Sequence, residues 1–134
     1  MRSLFSRSVA AAALAVAAAS AHADIVVIVN PAAGALTAEQ VSDIFLGRNA
    51  AFTPLDQAEG SALRNDFYKK ATGRDPAQVK AVWSRLAFSG KGQPPKEFAD
   101  AAAVKKAVAA DPKAVGYIDK SALDGSVKAA LTIN

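Results

Sequence analysis

The sequence contains no cysteine and a single histidine, His22. Without cysteine there is no disulfide and no thiolate nucleophile. His22 falls inside a segment expected to be removed, so the working chain is expected to carry no imidazole either. That excludes Ser-His-Asp and Cys-His nucleophiles and a zinc site built from the usual ligands. No loop of the D-x-D-x-D type is present, which removes the common calcium loop. Carboxylate-only chemistry is what remains for an enzyme. The chain is therefore read as a non-enzyme, with no catalytic residue, metal or cofactor expected.

Long apolar runs are also scarce. The longest covers residues 9–19, too short for the roughly 20 residues a bilayer span needs. It follows Arg2 and Arg7 and ends in Ala21-His22-Ala23, the order of a secretory leader with a small-residue cleavage site. Residues 1–23 are thus expected to be a cleaved signal peptide, and residues 24–134 a single periplasmic or secreted domain with no membrane span. Losing Arg2 and Arg7 halves the formal net charge of +4. The remaining lysines are scattered and not interleaved with aromatics, so no nucleic-acid partner is expected.

Beyond residue 24 the pattern alternates between strand and helix. Residues 24–30 (DIVVIVN) form a β-branched run closed by Pro31, which predicts a central strand buried on both faces, as in a parallel sheet. Thr37 and Gln40 make a capping box for a helix facing inward through Val41, Ile44 and Phe45 and stopping at Gly47. Residues 53–57 predict a short strand. Ser61 opens a second helix with Leu63, Phe67 and Ala71 inward. Asp75, Pro76 and Gln78 start a third, burying Val79, Val82, Trp83 and Leu86. Residues 90–95 read as a loop. Asp100 caps a helix over 101–110 facing inward through Val104 and Val108. Strands follow at 114–118 and 127–133, with a turn at 121–125. Strands separated by helices predict an α/β fold: a three-layer sandwich with a mixed, partly parallel sheet.

In open α/β sheets ligands collect at the carboxyl ends of strands, beside helix starts. The segment Gln57-Ala58-Glu59-Gly60-Ser61-Ala62-Leu63-Arg64 joins a strand end to a helix start in this way. Free N–H groups at residues 61–64, aided by the helix dipole, would favour an anion there. Ser61 would donate its hydroxyl and Arg64 its charge. The same residues are compatible with an ordinary cap and a solvated arginine. Glu59 would repel a fully ionised anion but could accept a proton that the ligand retains. Asn30, at the end of the first strand, and Lys91, in the glycine-flanked loop, are weaker candidates. The G-x-x-x-x-G-K-[ST] spacing of a phosphate loop is absent.

The stretches IVVIVNP, LTAEQVSDIFLGR, TPLDQAEGSALRNDFY, AVGYID and VKAALTI, in that order over residues 25–133, carry a family resemblance. The chain resembles the phosphate-binding proteins of ABC transporters, in the type II periplasmic binding protein superfamily, and is about the size of one of their two lobes. The resemblance implies a solute-binding role for phosphate or a similar oxyanion, with an ABC permease or other envelope protein as partner. It implies that Glu59 accepts the proton of hydrogen phosphate while Ser61 and the following N–H groups donate. The family's arginine falls on Gln57, its second glycine on Ala62 and its threonine on Leu63, so one cation and one hydroxyl are missing and weak binding is expected. The alternative is an accessory protein-interaction module with the same fold, using Phe88, Pro94, Pro95 and Phe98 as its apolar surface.

Overall fold

The computed structural model describes residues 24–134; the expected leader, residues 1–23, lies outside the described residues. The elements run β1 (Ile25–Val29), α1 (Ala38–Phe45), β2 (Thr53–Gln57), α2 (Ala62–Thr72), α3 (Pro76–Phe88), β3 (Lys96–Phe98), α4 (Ala101–Ala110), β4 (Ala114–Asp119) and β5 (Lys128–Ile133). A single 3-10 turn, Lys120–Ala122, precedes β5.

The helices start where the capping chemistry places them. Thr37 and Asp75 each form a complete capping box with the glutamine three residues on. Ser61 and Asp100 each accept one N–H from the first turn of their helix. Gly73 closes α2 in the left-handed conformation, which costs glycine no Cβ clash.

The five strands lie in the order β3-β2-β4-β1-β5. β2 is parallel to both β3 and β4, whereas β1 is antiparallel to both β4 and β5. The expectation of a parallel setting for β1 is corrected here. Its continuous β-branched run reports burial on both faces and carries no information about strand direction. β3 is an addition to the elements read from sequence. Its three residues pair Leu55↔Lys96 through Gln57↔Phe98, a contact made by backbone without an alternating pattern.

Alternate residues of β1 feed two cores. Ile25, Val27 and Val29 pack under α1, α2 and α3 with Phe45, Phe67, Tyr68, Trp83 and Tyr117. Val26 and Ile28 pack on the other face under Val104 and Val108 of α4. The result is the three-layer α/β sandwich with a mixed sheet that the element pattern predicts. On the crowded face Phe67 stacks on Tyr117 at 3.9 Å, and Phe45 meets Phe67 edge-on at 4.8 Å. Trp83 belongs to this core, and its indole N–H donates to the Phe45 carbonyl at 3.0 Å. At the sheet's outer edge Leu36 N–H donates to the Ala130 carbonyl of β5, beside an irregularity in the β1–β5 register.

Candidate functional site

β2 pairs with β4 only through Thr53↔Ala114 and Pro54↔Val115. Toward its carboxyl end the Gln57 amide reaches across and donates to the Tyr117 carbonyl at 2.9 Å, replacing a ladder bond with a side chain. Gln57 is therefore buried and engaged inside the sheet.

Its neighbour Asp56 is only 2% exposed and forms the centre of a polar cluster. The hydroxyls of Tyr68, from α2, and Tyr117, from β4, both donate to its carboxylate. The Gln57 N–H adds a third bond at 2.9 Å. The Arg64 side chain, 11% exposed, brings Nε to 3.6 Å from the same carboxylate. Arg64 Nη1 donates to the Gln57 carbonyl at 2.8 Å and to Glu97 of β3 at 3.1 Å. Arg64 Nε is buried without a hydrogen-bond partner. Its guanidinium also lies over the Tyr68 ring, 5.9 Å from the centroid.

This cluster shifts its members in predictable directions. Burial first, then the Asp56 charge and its hydrogen bonds, push the Tyr68 and Tyr117 phenols well above their ordinary value. Burial alone would lower the Arg64 pKa, but Asp56 and Glu97 outweigh it and hold that pKa above the ordinary one.

Around the start of α2, Glu59, Gly60 and Arg64 border an open concavity of about 290 Å³ together with Asn65 and the first turn of α3, Pro76, Ala77 and Lys80. Gly60 has φ 90, a left-handed turn that lets β2 pass directly into the helix. Ser61 N–H donates to the Ala58 carbonyl, and Ser61 Oγ accepts from Arg64 N–H at 3.2 Å. Of the four N–H groups expected to be free, only those of Ala62 and Leu63 lack a partner among the described residues. The Ser61 hydroxyl proton is not engaged by this cap and can still be donated. Glu59 is exposed and pairs loosely with Lys80 at 3.6 Å.

The other candidates are dispersed. Because β1 runs against β2, Asn30 lies at the opposite end of the sheet from Gln57, about one strand length or roughly 13 Å along it. There its amide caps α4 by donating to Val108 and Ala109. Lys91 lines a separate concavity with Gly47, Phe52 and Thr53, near the beginning of β2. Arg64 is not the solvated surface charge that an ordinary cap would leave: it faces Asp56. Phe98 packs under α4 and Phe88 projects from α3, on opposite faces of the sheet, so the expected apolar surface is not one patch.

Sequence reasoning missed Asp56, Tyr68, Tyr117, Glu97 and Lys80. The one available signal was Asp56 itself, a carboxylate inside a strand with an arginine at the start of the next helix. Tyrosines in apolar surroundings read simply as core.

No family model and no curated protein matches the chain. Several solved structures match in fold, among them the following two. One, described as an ABC-type phosphate transport receptor from Vibrio cholerae, aligns with a TM-score of 0.61 at 20% identity, over 80% of this chain and 46% of that one. The other is described as a putative phosphate ABC transporter substrate-binding protein with bound phosphate, from Clostridium perfringens. It aligns with a TM-score of 0.64 at 20% identity, over 81% of this chain and 45% of that one. The chain thus spans less than half the length of either. Among the described residues no helix is long and apolar enough to cross a membrane. The chain has the fold of part of a phosphate ABC transporter substrate-binding protein, in keeping with a single lobe.

Proposed function

We propose that residues 24–134 form a secreted or periplasmic solute-binding domain of the phosphate type, holding hydrogen phosphate or a similar oxyanion at the start of α2. The observation that carries this reading is the pair of free N–H groups, Ala62 and Leu63, at the carboxyl end of a parallel strand. They lie in a fold that one solved neighbour uses with phosphate bound. Ser61 donates its hydroxyl, Glu59 accepts the ligand's proton, and Gly60 lets the backbone approach. Lys80 adds a cation beside Glu59. Arg64 contributes little net charge, since Asp56 and Glu97 already balance it. Few donors and an exposed ion pair make for weak binding, with a Kd of about 1 mM or roughly 4 kcal/mol. An ABC permease of the envelope would receive the ligand. No step in this role calls for catalysis.

Arg64's inward turn favours a second reading, an accessory interaction module that retains the lobe without a tight small-molecule ligand. Calorimetric titration with orthophosphate separates the two. The binding reading expects a millimolar isotherm that Ser61→Ala weakens, along with about 1 kcal/mol of stability from the lost cap. No heat at millimolar phosphate, with an unchanged melting temperature, sinks it and leaves the module.

A further inference from the structure

Three arginines of the α1–α3 face border a second concavity, apart from the one at the start of α2. Arg48 follows α1, Arg74 sits between α2 and α3, and Arg85 lies in the last turn of α3. Together they line an open concavity of about 400 Å³, floored by Leu46, Val82 and Leu86. No carboxylate lines it. The nearest ion-pair partner is Asp43, 3.7 Å from Arg48, with both side chains exposed. The Arg74 and Arg85 side chains make no ion pair or hydrogen bond among the described residues.

The clustering is fixed by packing. Gly47 has φ 77, and a Cβ there would lie 2.4 Å from Leu86 Cδ1 and 3.3 Å from the Trp83 ring. The absent side chain lets the end of α1 close onto α3, and the Trp83–Phe45 hydrogen bond holds it there. Nor are the arginines needed as helix caps. The last carbonyls of α1 already accept from Leu46, Gly47 and Arg48 N–H, and those of α3 from Ser89, Gly90 and Lys91.

Three arginines therefore line one open, partly apolar concavity, and among the described residues only Arg48 has a carboxylate partner, the loosely paired Asp43. Each guanidinium presents a planar fork of donors suited to phosphate oxygens. The concavity, about 400 Å³, is wider than one orthophosphate needs, whereas linked phosphates can span the arginines along it. We propose that this concavity is a site for clustered phosphate groups, supplied either as a short free polyphosphate or by a phospholipid surface. It is independent of the site at α2.

Titration of the protein with tripolyphosphate at low salt, and sedimentation with phosphatidylglycerol or phosphatidylcholine vesicles, test this. Expected is binding to tripolyphosphate, to phosphatidylglycerol vesicles, or to both. Arg74→Ala and Arg85→Ala should each weaken it about fivefold. Added salt should weaken it further. Tripolyphosphate binding without sedimentation assigns a free ligand; sedimentation confined to phosphatidylglycerol assigns the lipid source. Absence of both, or binding that survives Arg74→Glu/Arg85→Glu, overturns the proposal. If that double variant misfolds by circular dichroism, the two alanine variants carry the test, and unchanged binding in both overturns it.

Discussion

Tyr68 and Tyr117 are the chain's two tyrosines, and both give their hydroxyl protons to Asp56. That makes alkaline titration an unusually clean measurement. In the unfolded chain both phenols ionise near about pH 10. In the folded protein burial and the Asp56 charge raise both well above that value. Raised native pKa values mean the native state binds more protons, so their contribution to stability is complete below about pH 10 and declines above it. With two phenols the slope approaches about 2.7 kcal/mol per pH unit, and the loss reaches about 3 kcal/mol by pH 11. Small domains are stable by only about 5–15 kcal/mol, so such a loss is readily seen. Near-ultraviolet phenolate absorbance should stay flat as pH rises and then appear together with loss of the circular dichroism signal. Tyr68→Phe/Tyr117→Phe should remove the steep alkaline limb. A phenolate transition near pH 10 with the native dichroism intact would refute the buried Asp56 cluster.

Two further perturbations probe other parts of the fold. Asp56→Asn keeps the shape but removes the charge facing Arg64, and should cost about 3–5 kcal/mol in urea denaturation; a midpoint like that of the parent would contradict the burial of this pair. Gly116→Ala would set a Cβ 2.6 Å from Val104 Cγ1 and should cost about 1–3 kcal/mol through overpacking beneath α4; unchanged thermal unfolding would show that α4 packs less closely on β4.

Local chemistry was the legible part of the sequence. Helix starts at Thr37, Ser61, Asp75 and Asp100 are written in side chains that bond within three residues, and all four caps form. Burial of β1 was equally legible, because an unbroken β-branched run has no polar face to expose. Strand direction was not, since it depends on partners about ninety to a hundred residues away. β3 was hidden because its partner supplies the order. At the α2 start the sequence placed Glu59, Gly60 and Ser61 correctly beside a strand end. It did not reveal that Arg64 would fold back over Asp56, because that contact depends on Tyr68 and Tyr117 closing the pocket from two other elements.

The antiparallel setting of β1 bears on how the chain is assembled. Its two neighbours, β4 and β5, follow it by about ninety and about a hundred residues. Five consecutive apolar residues therefore have no sheet partner on either edge until residues 115–133 have been made. The two cores β1 divides cannot close before then. Folding must wait on contacts of long sequence separation, which slows it and leaves the nascent chain open for longer. A chain cut short before Ala114 would present Ile25–Val29 as an unpaired hydrophobic strand, the kind of segment that invites aggregation.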